Sequence, residues 1–103
     1  MRSLVILSKD EANPEDGSLA PLASRAEMLE QLSRRNTGPE EEGGDVVYGP
    51  GIRLDLSPGD DPIRQMILEI IDEDIAWDVI IPMARDLNWV LFDPLTGKTM
   101  SPS

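Results

Sequence analysis

The chain has 103 residues, enough for one domain with a single modest core. It contains no cysteine and no histidine, which excludes disulfides, thiol or imidazole catalysis and Cys/His metal centres. Nine basic residues stand against 20 acidic ones, a formal net charge of −11, which disfavours nucleic acid and anionic membrane surfaces, leaves basic proteins, cations or other proteins as partners, and is also what solubility alone would call for.

Ser3 to Ser8 (SLVILS) is an aliphatic run ended by Lys9 and Asp10. It predicts a strand buried on both faces, with Leu4 and Ile6 pointing one way and Val5 and Leu7 the other. The apolar part of MRSLVILSKDE is too short for a secretory leader, and no run approaches the ~20 residues of a bilayer span, so a cytoplasmic protein is expected. Lys9 to Leu19, with Pro14 and Gly17, reads as a loop. Ser24-Arg25-Ala26-Glu27 matches a capping box, and Met28, Leu29 and Leu32 follow at helical spacing. The pattern predicts a helix over 24–35, with Arg34 and Arg35 at its cation-favouring end. Asn36 to Asp45, with three Glu in a row, is an acidic loop, and Val46, Val47 and Tyr48 form a short extended piece before Gly49-Pro50-Gly51.

Ile52-Arg53-Leu54-Asp55-Leu56 alternates apolar and polar, as a half-buried edge strand does. Ser57 to Pro62 (SPGDDP) is a turn by its chemistry. The segment Ile63 to Ile71 admits two readings, because Asp61 and Pro62 also suit a helix start. The strand reading is preferred. It puts Met66, Leu68 and Ile70 on one face and Gln65, Ile67, Glu69 and Ile71 on the other, in a hairpin with Ile52–Leu56. Asp72-Glu73-Asp74 opens a second helix, whose residues Trp77, Ile80, Ile81, Ala84 and Leu87 share a face that Ile75, Val79 and Met83 widen. Pro82 is expected to kink or split it. Trp89 to Asp93 is a last strand, turned by Pro94 to Gly97, so one domain covers 1–98 and 99–103 form a frayed tail.

The order β-α-β-β-α-β predicts an α+β fold of the ferredoxin-like βαββαβ type, a four-stranded antiparallel sheet with two helices on one face. Because the central strands are apolar on both sides, the face away from the helices is expected to be a binding surface, closed by a second copy, by the long loops or by a partner. The same topology sends Asp10, Glu11, Glu15, Asp16, Asp60 and Asp61 to one end. Glu40, Glu41, Glu42, Asp45, Asp72, Glu73 and Asp74 go to the other, and both clusters would steer a basic partner.

Four phrases, PLASRAEMLEQL, YGPGIRLDLSPGDDPI, MILEIIDEDIAWDVI and NWVLFDPLTGK, together resemble a group of small bacterial proteins of about 100 residues to which no activity is assigned. The resemblance covers residues 20 to 98 and implies the strand–turn–strand reading at 52–71. Asn88 stands where those proteins usually carry Gly, and Pro94-Leu95 replace a Cys-Ser pair.

No motif specifies an activity. Gly97-Lys98-Thr99 ends like a phosphate loop, but Phe92 stands where the motif needs its first Gly. Asp60-Asp61 and Asp72-Glu73-Asp74 lack the alternating ligands of a calcium loop and read as turn and helix-cap residues. Asp55, Glu69 and Asp78 are the carboxylates available for acid–base work, and sequence spacing does not show that any two converge. Trp77 and Trp89 read as core or rim residues. The expectation is a non-enzymatic acidic protein–protein interaction module, of inhibitor or immunity type, with no cofactor and no metal. Asp60, Asp61, Asp72, Glu73 and Asp74 are its candidate partner-binding residues. The alternative is a small-molecule-binding or regulatory domain that pairs with a second copy of itself.

Overall fold

A computed structural model of the chain describes residues 2–10, 20–39, 44–56 and 61–101. In chain order they form β1 (Arg2–Ser8), α1 (Arg25–Ser33), β2 (Gly38–Pro39), β3 (Val46–Gly49), β4 (Ile52–Asp55), β5 (Gln65–Ile70), α2 (Glu73–Asp86), β6 (Trp89–Asp93) and β7 (Lys98–Met100). The strands make one sheet in the order β2-β3-β4-β5-β1-β6-β7, and every neighbouring pair is antiparallel.

Strand alternation builds the core. The register sets Leu4 opposite Leu68, Ile6 opposite Met66 and Leu91, Leu54 opposite Leu68 and Val47, and Ile52 opposite Ile70. All of these are buried. Met28 and Leu32 of α1 and Ala76, Ile80, Met83 and Ala84 of α2 join the same cluster, so both helices cover that one face. Each large aliphatic side chain placed there contributes about 1.5–3 kcal/mol. The segment that admitted two readings is a strand, because its period-2 pattern fits the pleat between β1 and β4.

The ferredoxin-like, four-stranded expectation is overturned: the sheet has seven strands among the described residues. Val46–Gly49 pairs along its whole length with β4, Gly38–Pro39 pairs with β3, and Lys98–Met100 pairs with β6. Ile52–Asp55 is therefore an interior strand, not an edge. Alternation reports that one face of a strand is covered; it does not report how many neighbours the strand has. Residues 99 and 100, expected in a frayed tail, are the last two of β7. On β1, Leu4 and Ile6 are buried whereas Val5 and Leu7 are half-buried, so the strand is covered fully on one face only.

Local chemistry sets the helix ends. The Ser24 hydroxyl accepts the Glu27 N–H (3.2 Å), as the capping box requires. The helix ends at Ser33, with Arg34 as its cap and Arg35 donating to the Gln31 carbonyl (2.9 Å). Asn36 takes a left-handed φ of 57°, and the Thr37 N–H then closes back on the Leu32 carbonyl (3.0 Å). At α2 the Asp72 carboxylate accepts the Asp74 N–H (3.0 Å). Pro82 neither splits nor ends this helix, which runs unbroken from Glu73 to Asp86. Proline has no N–H for the Asp78 carbonyl, but Ile80, Met83 and Ala84 anchor the helix to the core on both sides of it. Asn88 has φ 63°, a left-handed conformation that Asn adopts at small cost.

Gly51 joins the sheet to α2. Its φ is +71°, and its carbonyl accepts the N–H groups of Ile71 (2.9 Å) and Asp72 (3.1 Å). A Cβ at Gly51 would lie 2.9 Å from the Asp72 carbonyl oxygen and 3.2 Å from the Ala76 nitrogen, both backbone atoms with little freedom to shift. Gly97 has the same φ, +73°, with open space around it. Gly51→Ala is therefore expected to lower stability by about 2 kcal/mol or more and Gly97→Ala by about 1 kcal/mol, read from urea unfolding midpoints. Equal costs would contradict the close approach at Gly51.

Candidate functional site

The sheet face opposite the helices carries the other alternate set of side chains, and the register arranges them in rows across the strands. One row runs Val46, Asp55, Ile67, Val5, Phe92 and Thr99 from β3 to β7. A neighbouring row runs Tyr48, Arg53, Glu69 and Ser3. On the far side of the first row lie Gln65, Leu7 and Val90. The middle of this face is thus an apolar patch of Val5, Leu7, Ile67, Val90 and Phe92. Ile67 is 38% exposed, and the other four are half-buried.

The polar row beside the patch is held together internally. Arg53 donates to the Glu69 carboxylate and lies opposite Tyr48 in the β3–β4 register. Those partners, Glu69 foremost, raise the Arg53 pKa above its already high ordinary value, so the guanidinium stays charged at any working pH. A cross-strand ion pair of this kind fixes both side chains in the plane of the face and gives the apolar patch a rigid polar border.

The acidic residues proposed as partner contacts fall into separate places. Asp60 lies outside the described residues, as do Glu11, Glu15, Asp16, Glu40, Glu41 and Glu42. Asp61 accepts the Arg25 N–H (3.0 Å) at the start of α1, while Asp72 caps α2 and Glu73 and Asp74 stand in its first turn. Asp61 and the Asp72–Asp74 group are therefore at different elements, each explained by a helix start. Asp45 was expected with the second group. It contacts the Arg25 side chain instead and so joins Asp61, because β3 runs antiparallel to β4 and reverses the direction in which its first residue lies.

The carboxylates considered for catalysis do not converge. Glu69 is engaged by Arg53, Asp55 faces Ile67 and Val46 across its strand neighbours, and Asp78 is exposed on α2 in the other layer. Among the described residues no three acidic groups are placed to hold a metal ion, and no helix is long and apolar enough to cross a membrane. Trp89 is fully buried, with its indole N–H unpaired among the described residues. Trp77 is half-buried, with the Arg2 guanidinium 5.5 Å from its ring centre. Sequence reasoning missed Tyr48 and Arg53 as members of the site, since their role depends on β3 lying beside β4. Val90 and Phe92 were legible as the outward set of the alternating WVLFD strand but were not assigned to the site.

Comparison of the chain with protein-family models, with curated proteins and with solved structures returned no match.

Asp93 is 7% exposed, and its carboxylate accepts the Leu95 N–H (2.9 Å) and the Arg2 guanidinium (3.3 Å). The backbone hydrogen bond from Leu95, then Arg2, hold its pKa below the ordinary 3.8. A carboxylate with a depressed folded-state pKa stabilises the fold above its unfolded value and loses that contribution as pH falls through the folded value. The stability gap between the wild type and Asp93→Asn is expected to be constant at neutral pH and to shrink below the usual carboxylate range. Urea titrations at a series of pH values measure it, and a gap independent of pH would contradict this role.

Proposed function

We propose that the protein is a non-enzymatic interaction module that docks a basic protein partner on the sheet face built around Val5, Leu7, Ile67, Val90 and Phe92. The observation that carries this reading is the two-sided sheet: the helices occupy one face, and the other presents a contiguous apolar patch with a rigid polar border. Soluble chains rarely leave such a patch without a use. The charge of −11 selects the occupant. A second copy brings the same charge and is repelled over the whole approach, whereas a basic protein is attracted and steered. Apolar contact supplies the affinity and the acidic surface supplies the rate and the choice of partner. An inhibitor or immunity-type role, in which the chain masks a cationic site of its partner, follows the same chemistry.

The test is a partner captured on the immobilised full chain, then purified and titrated against three forms of it. Ile67→Asp is expected to weaken binding at least about tenfold. Ile75→Asp, at a 45% exposed position in the first turn of α2 where an acid suits the helix dipole, is expected to leave it unchanged. Affinity for the wild type should fall steadily with added salt. A partner that is acidic, a complex indifferent to salt, or a stable homodimer broken by Ile67→Asp would each contradict the reading.

A further inference from the structure

We propose that a cavity beside the β6–β7 hairpin, separate from the sheet face, binds a small molecule that carries a carboxylate on a short aliphatic body. The cavity measures about 210 Å³ and is lined by Arg2, Asp93, Thr96, Lys98 and Met100. Two of the nine bases in a chain of net charge −11 meet in this one place, against a single acid in the lining.

That acid is already committed. One Asp93 oxygen accepts the Leu95 N–H at 2.9 Å, and the other accepts an Arg2 nitrogen at 3.3 Å. Arg2 is in turn held in place by Asp93 and by the Trp77 ring 5.5 Å away, with Glu73 at 3.9 Å, beyond hydrogen-bond reach. A guanidinium has five N–H donors, and Asp93 engages one of its nitrogens, so donors remain for a ligand. Lys98 forms no ion pair among the described residues. The Thr96 hydroxyl oxygen accepts the Lys98 N–H (3.3 Å), which leaves its own proton to donate.

The donors left over are therefore a preorganised guanidinium, an ammonium and a hydroxyl, and Met100 supplies an apolar wall beside them. The lining itself carries one surplus positive charge, partly offset by Glu73 at 3.9 Å from Arg2, so a singly charged carboxylate suits it better than a multiply charged anion. The small volume, below the ~300 Å³ at which drug-sized pockets begin, limits the ligand to a few heavy atoms. Bare phosphate, with up to two charges and no apolar part, matches the wall less well than a short-chain carboxylate does.

The experiment is a nitrogen-15 amide titration of the full chain with sodium butyrate, set against sodium chloride at equal ionic strength. Butyrate is expected to shift the amides of residues 95–100 and the Trp77 indole in a saturable way, with a Kd on the order of 1 mM. Acetate, lacking the chain that meets Met100, should bind more weakly. Lys98→Met keeps the unbranched stem of the side chain and removes its ammonium group. It should raise the butyrate Kd about tenfold while the rest of the spectrum, and so the fold, is unchanged. Shifts that chloride reproduces, butyrate binding unaffected by Lys98→Met, or inorganic phosphate binding tighter than butyrate would each overturn the proposal. Butyrate titrated against the Ile67→Asp chain, where the docking patch is spoiled, should give the wild-type Kd, so this site and the sheet face fail or stand independently.

Discussion

The position of Gln65–Ile70 between β1 and β4 is the constraint on which the structure depends. This strand is hydrogen-bonded on both sides and contributes Met66, Leu68 and Ile70 to the buried cluster. A shift of register by one residue would send those three to the outside and bring Ile67 and Glu69 under the helices. Burying Glu69 there without Arg53 would leave a charge unpaired in the core, a cost of several kcal/mol. The pairing thus selects itself: the apolar set fits one face, and the ion pair with Arg53 forms only on the other.

From this division the chemistry of the two surfaces follows. On the covered side, α1 and α2 are capped by Ser24 and Asp72, and several of the chain's many acids are used up in holding helix starts. Gly51 ties the β3–β4 turn to the beginning of α2 through two backbone hydrogen bonds, so sheet and helix layer are joined at a point where only glycine fits. On the other side, the patch around Ile67 lies on rigid strands, bordered by Tyr48, Arg53 and Glu69. A surface of that kind loses little conformational freedom on binding, because its side chains are already ordered by their cross-strand neighbours. Rigidity, apolar area and a surplus of negative charge are the features on which the proposed docking of a basic protein rests.

Much of this was legible in the residues, and what was not has a physical cause. The alternation in QMILEI and WVLFD identifies strands and their inward sets, and SRAE identifies a helix start, because each signal is carried by residues adjacent along the chain. The sheet width was not legible. VVYG is four residues long, GP two and KTM three, and such pieces become strands only by pairing with a neighbour already in place. The misplacement of Asp45 descends from the same gap, since its end of the molecule is set by the direction of β3. That both faces of the central strands are apolar was legible; that Val5 and Leu7 share a face with Ile67 was not, because it depends on the β1–β5 register. The polar border of that face was not legible either, because Tyr48, Arg53 and Glu69 meet only across three strands. The cavity at Arg2 and Lys98 was equally hidden, for its residues come from the two ends of the chain.

The most direct test of the two-faced sheet is the paramagnetic relaxation of side-chain methyl groups by a neutral, water-soluble gadolinium chelate. Isoleucines distributed along β1 and β5 make the comparison internal to one residue type. The Ile67 methyl groups should relax strongly, while those of Ile6 and Ile70, on the helix-covered face, should be nearly untouched. Equal protection of all three would mean that the outer face is not presented to solvent, and equal enhancement would mean that the helices do not cover the inner one; either result contradicts the account.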